Sequence, residues 1–474
     1  MTKTMDTAQQ RPLCVDLDGT LIATDTLWES LFILLRHHPW QIFLLPFWLL
    51  EGKAAFKQHI AQYVDVPADA LPYRENVLAY LREQRAQGRY IVLATAAHES
   101  IAKNVFDHLK LFDAYYASTD TVNLRSEAKY NLLNEKYAGT GFAYMGDSSA
   151  DIPLFDKLKE FYLVAPSEKL QRSYPDARVF TAPKATWKTW AKAIRMHQWV
   201  KNVLIFLPLI TSHEFLVLGK VADGVLTFIA FSLTASAGYI LNDLLDLTAD
   251  RHHQSKSKRP FAAGLIPIQY SLPLFFGLLT VSFCIAAFLS PSAVVLLIVY
   301  LCTTILYSFY LKTKMVLDVV TLASLFTLRI IIGGVAMNII LSSWILAFSV
   351  FLFMSLAFLK RYVELLQLTE HKIKNRDYHR DDLDMISSVG PTSGYLAVLV
   401  FSLYIDTPNT QQMYDSPVLL WLISPILLYW ITRIWFLARR HQMMDDPVHF
   451  ALTDRVSWVV VLLMMTMMLL AKFI

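Results

Sequence analysis

Two hydrophobic patterns divide the chain. From about residue 199 onward, apolar blocks recur at lengths that suit helices crossing the hydrocarbon core of a bilayer. The predicted spans are 200–217, 222–245, 269–290, 292–311, 316–337, 343–366, 392–406, 417–438 and 456–474. Pro208 interrupts the first span and the seventh is short, so the pattern predicts an all-α polytopic membrane bundle of about nine helices.

The first 180 residues follow a different pattern, in which short apolar runs end in polar residues. PLCVDLDGTL, YIVLATAAHES and FAYMGDSSAD each predict a buried parallel strand with polar groups at its carboxyl end. Active sites of open α/β sheets lie at that edge. The pattern therefore predicts a Rossmann-like α/β domain over residues 1–180, followed by a linker over 181–198 and a membrane domain over 199–474.

Composition supports a membrane protein. Hydrophobic residues make up 55% of the 474 and charged residues only 17%. Basic residues concentrate in alternate loops, which places those loops and the N-terminal domain in the cytoplasm and the protein in the cytoplasmic (inner) membrane. The N-terminus lacks the apolar core of a signal peptide, in agreement with that orientation. The net charge of +4 is small and argues nothing about nucleic acid, and no nucleic acid partner is expected. Cys14, Cys284 and Cys302 show no spacing pattern, and no disulfide is expected.

The apolar stretch that ends near residue 241 continues directly into NDLLDLTADRHHQSKSKRPFAAG. At 100° per residue, Asn242, Asp243, Asp246 and Asp250 lie within an arc of about 100° on one helical face. Carboxylates this close repel one another unless a cation lies between them. Hard oxygen ligands with substrate phosphates suit Mg²⁺, so we predict a magnesium site; a solvated helix end is the alternative.

Two further segments could contact a membrane surface. Tryptophans and basic residues alternate in APKATWKTWAKAIRMHQWVKN, which predicts an interfacial helix over residues 181–198, with an ordinary soluble helix as the alternative. The twelve residues PWQIFLLPFWLL, 39–50, are too few to span a bilayer. They form either a buried helix or a contact with the membrane surface or a lipid tail.

Four elements of the N-terminal half, in this order, resemble the haloacid-dehalogenase-like phosphatase superfamily. Their polar residues are Asp16 and Asp18, then Thr95, then Lys129, then Asp147 and Asp151. The resemblance implies that Asp16 forms an aspartyl-phosphate and that Asp18 protonates the leaving group and then activates water. It also implies that Thr95 and Lys129 hold phosphoryl oxygens, and that residues 28 to about 88 form a cap. Magnesium would be bound by Asp16 and Asp147, with Asp151 supporting the metal shell.

The membrane half resembles the UbiA-type prenyltransferase superfamily, and within it the decaprenyl-phosphate phosphoribosyltransferases. The segments that carry the likeness are HQWVKN, NDLLDLTADRHHQSKSKRP, YSFYLKTKMVLDVV, TLRIIIGG, FLKRYVEL and TDRVSW. Ordinary members carry a second aspartate-rich motif in the later half. In this chain, residues 307–334 contain a single aspartate, Asp318, which is flanked by basic residues. This departure favours a donor richer in phosphate than a prenyl diphosphate.

Phosphoribosyl pyrophosphate is such a donor, because it carries a pyrophosphate and a separate 5-phosphate. Asp243, Asp246 and Asp250 would hold magnesium on the pyrophosphate, with Asn242 supporting. The candidates for contacts with the rest of the substrate are Lys201, Arg259, Lys312, Asp318, Arg329 and Lys360. Arg329 lies in an apolar run, where a guanidinium usually faces a polar cavity; a pair with a neighbouring acid is the alternative. Lys201 could instead lie at the membrane interface, and His252 and His253 are interpreted as solvated.

The two resemblances together suggest a two-step enzyme. The membrane domain would transfer 5-phosphoribosyl to a polyprenyl phosphate, and the phosphatase domain would remove the 5-phosphate. The alternatives are a transferase that moves a prenyl group to an aromatic acceptor, with a phosphatase of unrelated substrate, and a transporter with a regulatory domain. The transporter leaves both aspartate arrays unexplained. Lipid length and oligomeric state stay open.

Overall fold

The computed structural model describes residues 11–119, 122–367, 376–443 and 446–474. The chain forms two compact units. The sheet unit comprises residues 1–196 together with Tyr239–Phe276, and the helical unit comprises His197–Gly238 together with Gly277–Ile474. The predicted domain boundaries at residues 180 and 199 stay predictions.

The sheet unit contains a parallel sheet of six strands in the described residues, with the order β3-β2-β1-β4-β5-β6. The strands are β1 Leu13–Val15, β2 Ile91–His98, β3 Ala114–Ser118, β4 Ala143–Gly146, β5 Phe161–Val164 and β6 Arg178–Phe180. Cys14 pairs with Val92 on one side and with Tyr144 on the other. Because every pair is parallel, the carboxyl ends of the strands meet at one edge. The predicted α/β fold is confirmed.

Helices pack on both faces of this sheet. The helices before residue 197 are α1 Thr26–His37, α2 Leu45–Leu50, α3 Lys53–Tyr63, α4 Glu75–Ala86, α5 Glu99–Leu109, α6 Glu127–Lys136, α7 Ile152–Phe155, α8 Glu168–Ser173 and α9 Trp187–Ala193. Leu13 and Val15 pack into one hydrophobic core and Cys14 into another, as expected when alternate strand residues face opposite sides. Helices α1 to α4 all lie between β1 and β2, at the position predicted for a cap.

Residues 239–276 belong to the sheet unit although they follow an apolar helix. They comprise the end of α11 (Leu218–Leu245), α12 (Leu247–Arg251), the 3₁₀ turns Lys256–Lys258 and Ile268–Tyr270, and the start of α13 (Ser271–Leu289). Gly264 has φ +65°, and a Cβ there would lie 2.6 Å from the Cβ of Ala23. The backbone of this segment therefore lies directly against the loop after β1.

The helical unit is built from long apolar helices. Besides α11 and α13, the remaining α-helices of the described residues are α10 Leu207–Thr211, α14 Pro291–Phe309, α15 Leu317–Ala336, α16 Ser343–Leu366, α17 Leu383–Ile405, α18 Pro408–Met413, α19 Ile423–Arg439, α20 Pro447–Thr453 and α21 Arg455–Phe473. Eight helices among the described residues are long and apolar enough to cross a membrane. The chain is an integral membrane protein.

The first predicted span, 200–217, is wrong. Met196–Phe206 forms a 3₁₀ helix, and the short helix α10 follows it. Pro208 lies in the first turn of α10. Proline lacks the N–H that would continue a preceding helix, so the apolar segment is broken into two short pieces. The seventh predicted span, 392–406, forms part of α17, which begins nine residues earlier at Leu383.

Small residues allow close packing between the long helices. A Cβ on Gly390 of α17 would lie 2.2 Å from the ring of Trp435 on α19. The indole N–H of Trp435 donates a hydrogen bond to Ser355 of α16 at 3.1 Å. The three helices therefore meet around one buried tryptophan, where small residues let helix backbones approach closely.

Candidate functional site

Three carboxylates meet at the carboxyl edge of the sheet. Asp16 follows β1, while Asp147 and Asp151 follow β4. One oxygen from each lies within 4.8 Å of the others, the only such group of metal-binding side chains among the residues described. A Cβ on Gly19 would lie 2.1 Å from an oxygen of Asp147, so only glycine fits beside this carboxylate. The donor set consists of hard oxygens close enough to share one ion, so these residues fit Mg²⁺.

Lys129 supplies the positive charge of this cluster. Its Nζ lies 3.0 Å from Oδ2 of Asp16 and 3.7 Å from Oδ1 of Asp151, and it donates to the hydroxyl of Tyr144 at 2.8 Å. Burial alone would lower the pKa of Lys129, but the charges of Asp16 and Asp151 outweigh it and raise the pKa. The ammonium is therefore held charged beside the predicted nucleophile.

The predicted acid, Asp18, is fixed by the start of α1. Its carboxylate accepts hydrogen bonds from the backbone N–H of Thr26 at 2.8 Å and from the Thr26 hydroxyl at 3.2 Å. Burial, followed by the charge of Asp25, raises the pKa of Asp18 to about 8, while burial raises the pKa of Asp16 only to about 6 against the charge of Lys129. Two neighbouring carboxyls whose pKa values differ in this direction suit a nucleophile and a proton donor.

These groups line a cavity of about 840 Å³ in the sheet unit. Asp16, Asp18, Lys129 and Asp147 are among its lining residues. Thr95 is fully buried in β2, where its hydroxyl accepts a hydrogen bond from the backbone N–H of Ala97 at 3.0 Å. Basic residues also line the cavity: Lys53, Lys57, Arg74 and Arg125. A segment after the NDLLDLTAD motif lines it too: Gly264, Leu265, Pro267, Ile268, Gln269 and Tyr270. The sequence did not assign either group to this site.

The aspartates of the NDLLDLTAD motif have arginine partners. Arg259 contacts both Asp243, at 2.9 Å, and Asp250. Arg195 also pairs with Asp243, and Arg36 of α1 lies 3.2 Å from Asp246. Burial raises the pKa of Asp250 to about 6 against the charge of Arg259. Guanidinium groups therefore contact these carboxylates, and the magnesium site predicted there stays a prediction.

A buried ion pair joins this motif segment to α1, the helix that follows the loop after β1. Arg251 donates to Glu29 of α1 at 2.6 and 3.1 Å, and both side chains are nearly inaccessible. Glu29 also accepts a hydrogen bond from the hydroxyl of Thr24 at 2.6 Å, and the carbonyl of Thr24 accepts from the N–H of Gly19 at 3.0 Å. Residues 247–251 are thus connected, through the side chains of Glu29 and Thr24, to the loop that carries Asp18.

The predicted substrate residues of the helical unit fall into separate clusters. Lys201 and Lys360 both contact Asp446, at 3.3 and 2.8 Å. These two lysines hold the pKa of Asp446 far below its usual range despite the opposing effect of burial. Lys312 lies in the 3₁₀ turn Leu311–Thr313. The structure therefore brings Lys201 and Lys360 together around an acid that the sequence did not single out.

Asp318 is fully buried and surrounded by donors. Arg361 lies 2.8 Å and Arg376 3.2 Å from its Oδ2, and the Tyr378 hydroxyl donates to Oδ1 at 2.7 Å. Arg361 also contacts Glu364. Basic residues near Asp318 in sequence suggested a phosphate site, but the partners of Asp318 come from residues 361–378. No local spacing rule could have identified them.

Arg329 is buried without an acidic partner among the residues described. Its Nε donates to the side-chain oxygen of Asn202 at 2.9 Å, and its guanidinium lies 4.9 to 5.5 Å from the ring centres of Phe231, Tyr300 and Phe326. The sequence left open that Arg329 pairs with a neighbouring acid, and no such pair occurs among the described residues. Aromatic faces stabilise a buried cation electrostatically.

The carboxylate cluster and its lysine at the edge of a parallel sheet define a phosphatase-type centre, carried by a chain whose second part is a membrane bundle. Residues 13–156 match haloacid dehalogenase-like hydrolases, and residues 208–454 match the UbiA prenyltransferase family. The chain therefore belongs to the UbiA prenyltransferase family and carries a haloacid-dehalogenase-like domain. It is an enzyme of the transferase and phosphatase classes, and both resemblances are confirmed.

One relative matches most of the chain, and another matches somewhat more than half of it. The chain is 37% identical over 464 residues to a Sinorhizobium fredii protein designated y4nM and described as uncharacterized, covering 94% of this chain and 88% of that one. It is 32% identical over 287 residues to decaprenyl-phosphate phosphoribosyltransferase of Mycolicibacterium smegmatis, covering 58% and 89%. A solved UbiA homolog from Archaeoglobus fulgidus, bound to GPP and Mg²⁺, shares 14% identity over 60% of this chain and all of that chain, with a TM-score of 0.45.

Proposed function

We propose that the membrane domain transfers 5-phosphoribosyl from phosphoribosyl pyrophosphate to a polyprenyl phosphate, and that the phosphatase domain then removes the 5-phosphate. The observation that carries the second step is the cluster of Asp16, Asp18 and Lys129 in a cavity large enough for a sugar phosphate. The first step is supported by the similarity to the mycobacterial phosphoribosyltransferases. We place the phosphatase domain in the cytoplasm and the chain in the inner membrane, following the basic loops.

In the transfer step, the bond between ribose C1 and pyrophosphate breaks while an oxygen of the lipid phosphate attacks C1. The acceptor oxygen is already anionic, so no general base is required. Catalysis then depends on positioning and on stabilising charge on the leaving pyrophosphate. Asp243, Asp246 and Asp250 would hold Mg²⁺, which neutralises pyrophosphate charge when bound. Asn242, Lys201, Arg259, Lys312, Asp318, Arg329 and Lys360 remain our candidates for the other substrate contacts.

In the phosphatase step, a carboxylate oxygen of Asp16 attacks phosphorus and the bond to the ribose 5-oxygen breaks. Asp18 donates its proton to that oxygen, and the raised pKa of Asp18 favours the protonated form before the reaction. Asp18 then takes a proton from the water that hydrolyses the aspartyl-phosphate. Lys129 stabilises the phosphoryl oxygens throughout. Asp16, Asp147 and Asp151 would hold magnesium, which would supply further charge neutralisation when bound.

Asp16→Asn tests the two-step proposal. An amide cannot form the aspartyl-phosphate, so the variant should accumulate lipid-linked ribose 5-phosphate where the parent enzyme yields lipid-linked ribose. Membranes are incubated with phosphoribosyl pyrophosphate, magnesium and polyprenyl phosphate, and mass spectrometry of the extracted lipid resolves the difference of one phosphate. Asp107→Asn, on the exposed face of α5, is the matched control and should behave like the parent.

Two outcomes would contradict the proposal. Identical lipid products from the parent and Asp16→Asn would mean that the phosphatase domain acts on another substrate. Transfer from a polyprenyl diphosphate to an aromatic acceptor, with none from phosphoribosyl pyrophosphate, would support the prenyltransferase alternative.

A further inference from the structure

The segment Pro39–Leu50 exposes a run of large apolar side chains. It comprises a 3₁₀ helix, Pro39–Leu44, followed directly by α2. Its most exposed residues, with their exposed fractions, are Trp40 80%, Phe43 67%, Phe47 64%, Leu49 57% and Leu50 86%. Soluble surfaces rarely carry so continuous an apolar patch unless it binds something. We call these five residues the apolar cap surface.

The segment is anchored by its opposite side. Trp48 is buried and stacks on His59 and Tyr63 of α3, with ring centres 5.1 and 5.9 Å apart. The apolar cap surface is therefore the outward face of a docked element, and its exposure does not come from a detached segment. The sequence left a buried helix and a membrane contact open, and the structure excludes full burial of this segment.

Polar residues flank the apolar cap surface. His37 and His38 precede it, and the exposed Glu51 and Lys53 follow it. Tryptophan and phenylalanine between polar flanks are typical of segments that lie in the headgroup region of a bilayer. The chain itself is an integral membrane protein, so a bilayer is always adjacent to it. A lipid surface is therefore the occupant that the composition favours.

The apolar cap surface continues into the phosphatase cavity. Leu49 belongs to both, and Phe56 and Ile60 of α3 extend the apolar lining inward. On the same helix, Lys53 and Lys57 also line the cavity. One wall of the cavity thus offers hydrocarbon contacts and positive charge, as a ligand with an apolar tail and several phosphates requires, and Asp16 lies in the same cavity.

We propose that Pro39–Leu50 inserts into the bilayer interface and admits a lipid-linked phosphate monoester from the membrane to Asp16. The insertion stands on the exposed surface alone, whereas the identity of the monoester rests on the proposed function. The phosphatase would thus select membrane-borne substrates through this surface and would act on a water-soluble phosphate ester without its help.

The insertion is tested with a nitroxide at position 43. Phe43→Cys is made in a background in which the exposed Cys284 and Cys302 are replaced by alanine. Cys14 is kept, because it is buried. The full chain is then reconstituted in vesicles containing anionic lipid. The control is Tyr90→Cys. This position lies just before β2, at the amino edge of the sheet, opposite the carboxyl edge that carries the phosphatase centre. The label at 43 should be accessible to oxygen and protected from a water-soluble nickel complex, and the label at 90 should show the reverse.

Two results would overturn the insertion. One is a label at 43 as accessible to nickel as the label at 90. The other is protection from both reagents with spin–spin broadening, which would show a second copy of the chain on this surface. Because this measurement needs no substrate, it is independent of the Asp16→Asn experiment, and the two proposals can fail separately.

The selection of membrane-borne substrates is tested with Phe43→Glu/Phe47→Glu. Charges at these positions oppose insertion, so kcat/KM for lipid-linked ribose 5-phosphate should fall at least about tenfold, while hydrolysis of p-nitrophenyl phosphate should change less than about twofold. Retained p-nitrophenyl phosphate hydrolysis also shows that the domain is folded. Tyr90→Glu should leave both activities unchanged. An equal loss on both substrates, or no loss on the lipid, would refute the selection.

Discussion

Removing the Arg251 guanidinium should open the contact that holds residues 247–264 against α1. Arg251→Met leaves the Glu29 carboxylate buried, with the Thr24 hydroxyl as its remaining side-chain partner in the described structure. Breaking one side of a buried ion pair costs about 3–5 kcal/mol. Since each 1.4 kcal/mol is tenfold in an equilibrium constant, local opening should become about 100-fold or more frequent.

Amide hydrogen exchange measures this opening directly. Peptides covering α1 and α12 should exchange about 100-fold faster in Arg251→Met than in the parent, because local opening controls exchange in folded proteins. The double variant Glu29→Gln/Arg251→Met should recover most of the protection, since it buries no unpaired charge. Lys157→Met is the control. It removes an exposed pair with Glu127 that is worth at most about 1 kcal/mol.

Either of two results would contradict this role of the ion pair. Exchange in Arg251→Met within about fivefold of the parent would mean that the pair does not hold the segment. If the free-energy change of opening in the double variant equals the sum of the changes in the two single variants, the two side chains act independently.

Three further predictions concern the membrane half. Asp243→Ala or Asp246→Ala should abolish magnesium-dependent transfer in a protein that still inserts, measured by lipid product and membrane fractionation; near-normal transfer would remove the metal assignment. Arg329→Leu should raise the KM for phosphoribosyl pyrophosphate more than that for the lipid, and the opposite pattern would remove Arg329 from donor binding. Gly390→Ala should lower the free energy of unfolding of the detergent-solubilised protein by about 1–3 kcal/mol, because the new Cβ would overlap the Trp435 ring. An unchanged melting temperature would contradict that packing.

The phosphatase centre could be predicted from the sequence because its geometry is local to strand ends. Asp16, Asp18, Asp147 and Asp151 follow apolar runs, and parallel strands bring their carboxyl ends to one edge. Lys129 instead reaches the site from helix α6. Asp16 and Asp147 are far apart in the chain, yet each is placed by the strand just before it. Eight of the nine predicted spans lie in long apolar helices, because crossing a bilayer depends on the length and composition of one continuous segment.

Only the tertiary structure decided which side chains meet across the chain. Glu29 and Arg251 are 222 positions apart, and no periodicity or spacing relates them. The same holds for Asp446 with Lys201 and Lys360. Local patterns specify which face of an element is apolar, but the partner of a buried charge depends on how elements pack, and that is a property of the whole fold. For the same reason, the sequence left Pro39–Leu50 open between burial and exposure until the packing of Trp48 showed which side of the segment faces outward.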